Sequence, residues 1–168
     1  MMKTPRLFSA ILGLLSLAIT LSSNEYYLLP EHNSDLLHTL KQKIERATAI
    51  TVITGELAAP SIARSIEKSL QRGATLHLIT ADFKSAAFFS KYRNTLVNVP
   101  KDEGLKERFG LNILIIDSSD VCFSSIAFSE LLLKRNIGEV VCTTDQEEIL
   151  FGKRTEKSFS ERFEAYNR

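Results

Sequence analysis

Three polar residues within one short stretch of the chain could do chemistry: Asp117, Ser125 and Glu139. Asp117 closes an apolar run over residues 111–116 and leads into Ser118-Ser119-Asp120. A carboxylate at a strand end accepts backbone N–H bonds in the turn that follows, and that is its expected role. Ser125 ends a second short run and is expected to serve its own strand exit in the same way. Glu139 opens a third run, within reach of Lys134 or Arg135. Polar groups at turns need partners whether or not a site works, so a structural role is expected for all three. Asp117 and Glu139 as a metal-binding pair is the sharper alternative, but two acids lack a third ligand and a ligating spacing. No metal and no cofactor is expected.

Histidine is the other source of chemistry, and the chain has three: His32, His38 and His77. His77 lies between Leu76 and Leu78 in an apolar run, facing opposite to them. It could act as a relocated nucleophile or a metal ligand; a partly exposed or hydrogen-bonded strand histidine is the expected reading. His38 belongs to the surface of a helix. The basic pair Lys134-Arg135 could hold a phosphate or sulfate, though such a pair is more often a solvated turn.

These residues must be positioned by regular elements. Asn33-Ser34-Asp35 offers a helix start, and Leu37, Leu40, Ile44 and Ala47 recur at helical spacing. Residues 49–54 form a β-branched strand ended by Gly55. Pro60 suits the first turn of a second helix with Ile62, Ala63, Ile66 and Leu70 as its apolar stripe, and Gly73 suits its end. Residues 74–80 follow as a strand. Asp82 caps a third helix reaching Tyr92, and residues 96–99 form a short strand ended by Pro100. Residues 101–109 read as a charged loop. After the three runs around Asp117, Ser125 and Glu139, Asp145 caps a closing helix with Glu147 and Glu148 in its first turn. Gly152 is expected to split that helix, with Phe159 and Phe163 packing back. Helix and strand alternating in this rhythm imply right-handed crossovers and an α/β fold with a largely parallel sheet.

The stretch GLNILIIDSSDVCFSSIAFSELLLKRNIGE, residues 110–139, resembles the catalytic half-site of the phospholipase D superfamily. There HxKxxxxD ends a strand, a Gly-Ser-x-Asn step ends the next, and a Glu opens a later one. The segment from Gly55 to Thr80, with Gln71-Arg72-Gly73 before its strand, resembles the superfamily's first crossover. The resemblance implies a phospholipase D-like mixed, largely parallel sheet flanked by helices on both faces. It also implies covalent phosphodiester cleavage in family enzymes, by a His nucleophile with Lys and Asn on the phosphoryl oxygens. Here the frame is kept and the chemistry is not. Gly110 stands at the nucleophile's place, Asn112 at the lysine's and Ala127 at the asparagine's, while Asp117, Ser125 and, after a one-residue insertion, Glu139 match. Gly110 has no imidazole, Asn112 no positive charge, and Ala127 no donor. Lys134-Arg135-Asn136 falls where the family flanks its phosphate pocket.

Bulk properties bound the rest. A chain of 168 residues, 44% hydrophobic and 24% charged, is the size and composition of one globular domain. Formal net charge is +1, and losing residues 1–23 would remove Lys3 and Arg6 and no acid, so charge does not support nucleic-acid binding. Residues 1–6 carry those two cations, residues 7–21 are apolar, and Ser22-Ser23-Asn24 are small or polar. That is the layout of a secretory signal or an N-terminal anchor, so residues 24–168 form the single domain and contact with a membrane is expected only through residues 7–21 if they are retained. Export is expected, to a bacterial periplasm, with an inner-membrane anchor facing the periplasm as the alternative. In that compartment Cys122 and Cys142 form a disulfide or serve as two small buried hydrophobes. The expected function is a catalytically inactive binding, structural or regulatory domain, with a homodimer or a paralogous phospholipase D-like chain as partner. A nonstandard phosphodiesterase is the alternative, and it requires Asp117, Ser125 and Glu139 in one pocket with a histidine.

Overall fold

The computed structural model describes residues 23–101, 104 and 109–166. The apolar leader expected over residues 1–23 lies, apart from Ser23, outside the described residues, as does most of the charged loop after Lys101.

The chain runs β1 (Asn24–Leu29), α1 (Asn33–Arg46), β2 (Ala49–Thr54), α2 (Pro60–Gln71), β3 (Thr75–Thr80), α3 (Phe83–Phe89), β4 (Thr95–Pro100), β5 (Ile113–Ile116), β6 (Asp120–Ser124), α4 (Glu130–Arg135), β7 (Gly138–Thr143), α5 (Gln146–Arg162) and β8 (Phe163–Ala165). One sheet of eight strands takes the order β1-β7-β6-β5-β2-β3-β4-β8.

The sheet is mixed, not largely parallel. Only β2–β3 and β3–β4 are parallel; the other five pairings are antiparallel. Crossover helices α2 and α3 force parallel pairing through β4, as the helix–strand rhythm implies. Beyond Gly110 that rhythm stops. Left-handed backbone at Asp117 (φ 50°) and Ser118 (φ 59°) turns β5 straight back into β6. β1, which the sequence reading passed over, pairs all six of its residues with β7.

Strand alternation divides the apolar residues into two clusters. The larger holds Ile50, Val52, Leu76, Leu78, Leu114 and Val140 of the sheet with Leu40 of α1, Ile66 of α2, Phe89 of α3 and Leu133 of α4. The smaller holds Ile53, Ile79, Ile113, Ile115 and Val121 with Ile149 of α5 and Phe163, and Phe109, Phe123 and Phe159 pack on it.

Asp82 and Asp145 cap α3 and α5 through their carboxylates, each accepting from two backbone N–H groups. α3 stops at Phe89, short of the expected Tyr92. Gly73 (φ +98°) follows α2, where a left-handed residue is needed. Gly152 does not split α5. A Cβ there would lie 3.2 Å from Val121 Cγ2 and 3.3 Å from Ile115 Cδ1, so the missing side chain lets an unbroken helix lie close on the sheet. Cys122 and Cys142 face each other across β6 and β7 and are disulfide-bonded and buried.

Candidate functional site

The start of β5, the end of β6 and the start of β7 meet at one end of the sheet, beside the carboxyl ends of the parallel strands β2 and β3. Register brings Gly110, Asn112, Ser125 and Glu139 to this end. Ser124 N–H donates to Asn112 O at 2.8 Å, and Ser125 N–H donates to Glu139 O at 3.0 Å. In open α/β sheets, ligands bind beyond the carboxyl ends of parallel strands, so this end is the candidate site.

Asp117 is not part of it. It follows β5 at the opposite end of the sheet, five residues from Asn112, or roughly 16 Å of strand. Its Oδ1 accepts from Thr48 N at 2.7 Å, Thr48 Oγ1 at 2.8 Å and Ala49 N at 2.9 Å, fixing the entry to β2. Partial burial pushes this carboxyl up, but the three donors outweigh it and hold the pKa below the ordinary aspartate value. The expected structural role holds, with the bonds going to the α1–β2 junction and not to the following turn. An Asp117–Glu139 metal pair is therefore excluded by placement, and no cluster of three metal-ligating side chains occurs among the described residues.

At the candidate end, Gly110 is exposed, and a Cβ built on it would meet nothing within 4 Å. Asn112 is buried. Its Oδ1 accepts from Thr54 Oγ1 at 2.7 Å, and its Nδ2 lies 3.5 Å from Ser124 O. The Thr54 hydroxyl also contacts Glu56 O at 2.9 Å and Phe128 N at 3.5 Å. Asn112 is thus bound into the strand ends instead of presenting a donor to a ligand. Ser125 Oγ accepts from Glu139 N at 2.9 Å and extends the β6–β7 pairing. Gly138 permits this, since a Cβ there would lie 2.9 Å from Ser125 Oγ. Glu139 is exposed and, among the described residues, forms no ion pair with Lys134 or Arg135, the two expected partners; the Lys134 ammonium bonds to Glu130 one helical turn back. Ala127 follows β6 without a polar group to offer. Lys134 and Arg135 line a cavity of about 550 Å³ with Glu56, Ser129, Glu130 and Leu131.

His77 is on β3, paired with Thr51 and Leu96 and away from these residues. Its Nδ1 lies 2.6 Å from Glu156 Oε1 and its Nε2 2.8 Å from Asn98 Oδ1. With both ring nitrogens occupied, it is not a free nucleophile, as the hydrogen-bonded reading expected. Burial draws the imidazole pKa down, but its bonds to Glu156 and Asn98 and the Glu156 charge overcome this and raise it. The Thr54 and Glu156 partners escaped sequence reasoning. Only the strand order makes Thr54 a neighbour of Asn112, and Glu156 approaches from a helix 79 positions along the chain.

No protein-family model matches the chain, and no curated protein matches it by sequence. Solved structures do match it by shape. NucT from Helicobacter pylori superposes with a TM-score of 0.77 at 23% identity, covering 86% of this chain and 99% of that one. Nuc from Salmonella typhimurium, a phospholipase D family member, does so with a TM-score of 0.73 at 13% identity over 88% and 99%. TrmBL2, an archaeal chromatin protein described as having a novel mode of DNA binding, matches with a TM-score of 0.62 at 16% identity, over 86% of this chain and 55% of that one. The fold is therefore phospholipase D-like, as the motif frame implied.

Proposed function

We propose that this protein is an exported, catalytically inactive phospholipase D-like domain that works by binding, in a structural or regulatory role. The observation that carries the reading is the pairing of Gly110 with Asn112. The place of the nucleophile is open and without an imidazole, and the place of the lysine holds a buried amide already bonded to Thr54. Covalent phosphodiester cleavage needs a nucleophile and charge stabilisation of the anionic oxygens. Losing a nucleophile alone costs several orders of magnitude in rate.

A partner chain suits the same surface. Exposed apolar side chains stand around the motif end: Ile137 is 93% exposed just before β7, with Leu131 on α4 and Leu111 before β5. A second copy or a paralogous phospholipase D-like chain would cover them. The cavity beside Lys134 and Arg135 offers room for a small polar ligand, a phosphate or sulfate among them. Export rests on the cationic, apolar and polar order of residues 1–24; no helix among the described residues is long and apolar enough to cross a membrane.

The test is phosphodiesterase activity of the purified protein on DNA and on bis-p-nitrophenyl phosphate, with His77→Ala in parallel. No turnover above buffer supports the reading. Turnover above buffer sinks it, and the His77→Ala sample shows whether that turnover depends on His77.

A further inference from the structure

His77 is the one histidine placed in the sheet, and its surroundings are built for a charged ring. β3 presents it on the face covered by α5, with Thr51 of β2 and Asn98 of β4 on the strands beside it. Glu156 comes down from α5, bonding His77 Nδ1 at 2.6 Å and accepting from Thr51 Oγ1 at 3.3 Å. Both ring nitrogens therefore face oxygens that accept, a carboxylate and an amide carbonyl. With the Asn98 amide in this orientation, only an imidazolium donates from both nitrogens at once, and a neutral ring keeps one of the two bonds. Lys153 of α5 acts on Glu156, and Arg93 lines the adjoining cavity from the α3–β4 connection.

What the cluster holds leads back to the candidate site. Three residues beyond Glu156, Phe159 packs edge-on against Phe109, with ring centroids 5.4 Å apart. Phe163 packs on Phe109 at the same centroid distance. Phe109 immediately precedes Gly110, and its carbonyl oxygen lies 3.3 Å from where a Cβ on Gly55 would be. The last turns of α5 thus support the segment that forms the Gly110 side of the candidate site.

We propose that His77, Glu156 and Asn98 form a protonation-controlled clasp that fixes the C-terminal half of α5 to the sheet and, through Phe159 on Phe109, sets the position of Gly110. The device is independent of whether the site binds or reacts. The shifts of the two titrating groups agree with it: His77 is raised, and Glu156 is lowered first by the bond from His77. The sign follows by linkage. A raised histidine contributes stability fully present below its unfolded pKa and lost as pH rises through the folded one. A lowered glutamate contributes stability present above its unfolded pKa and lost as pH falls through the folded one. The charge pair is complete between the two folded values; as His77 gives up its proton on the alkaline side the ring keeps only one of its two bonds and loses its charge opposite Glu156, so the clasp weakens.

The experiment is an NMR pH titration of the full-length, 15N-labelled protein, reading the His77 ring and the amides of Phe109, Gly110 and Phe159. His77 should titrate above the free-histidine value of about 6.5, and the three amides should shift with the same midpoint. In Glu156→Gln the midpoint should fall and the amide response should shrink; in His77→Gln the amides should not respond over that range. A His77 midpoint at or below the free value overturns the proposal. So does an unchanged midpoint in Glu156→Gln, or a ring that titrates while Phe109 and Gly110 stay still. The wild-type titration decides the matter even if a variant fails to fold.

Discussion

Gly110 and Asn112 differ in how reversible their departures from an active motif are. Space around Gly110 is open, so Gly110→His should be accommodated with a stability change within about 0.5 kcal/mol, as for an ordinary surface substitution. Asn112 is buried and bonded to Thr54, so Asn112→Lys must bring a charge among the strand ends and strip Thr54 of an acceptor. That should cost roughly 1–3 kcal/mol. Thermal melts with the phosphodiester assay check both. Gly110→His should fold normally and remain inactive; turnover from that single change would mean an imidazole alone suffices. Asp117 gives a prediction in pH. Its carboxyl is held low, so its contribution is present above the unfolded aspartate pKa and disappears as pH falls through the folded value. Asp117→Asn should therefore destabilise the fold near neutrality by about 1 kcal/mol at this exposed position, read as a lower urea midpoint, and leave less difference from wild type in acid. Parallel curves across the whole pH range would show that the Thr48 and Ala49 donors do not depend on its charge.

At the level of elements, Gly152 shows how a residue can be read correctly as unusual and wrongly as a break. Glycine weakens a helix interior by about 1 kcal/mol, which is why the sequence suggests a split there. The structure uses it for clearance instead, with Val121 and Ile115 filling the place a side chain would take. Gly152→Val should accordingly destabilise by about 1–3 kcal/mol despite its better helix propensity, measured as a fall in urea midpoint without a change in slope. A stabilised variant would mean that α5 stands off the sheet at this point. The same contrast explains what was legible in the sequence. β2, α2 and the Asp145 cap of α5 could be read from periodicity and capping, because those signals are local. The antiparallel half of the sheet, the Thr54–Asn112 bond and the His77–Glu156 pair could not. Each depends on which distant strand or helix becomes a neighbour, and no local propensity encodes that. The motif frame carried the fold because it spans three strands at once, yet it put Asp117 among residues that the strand direction places at the other end.

Over the whole molecule, the position of β1 constrains how the chain can be processed. β1 forms one edge of the sheet, and all six of its residues are in register with β7. Tyr27 and Leu29 are buried in the larger core, and Ser23 N–H donates to Thr144 Oγ1 at 3.2 Å just before the strand begins. Removing β1 would expose the whole length of β7 as a new edge, a template for pairing with other chains. It would also open the core above the Cys122–Cys142 link. If residues 1–23 are a leader removed on export, as proposed above, the cut must leave the chain beginning at Asn24 or earlier. Intact-mass measurement of protein recovered from the exported fraction of an expressing bacterium checks this directly. A mature form starting at or upstream of Asn24, monomeric or in defined oligomers, is the expected result. A stable, folded product starting inside or beyond β1 would mean that the β1–β7 pairing is dispensable and that the folded domain begins at α1.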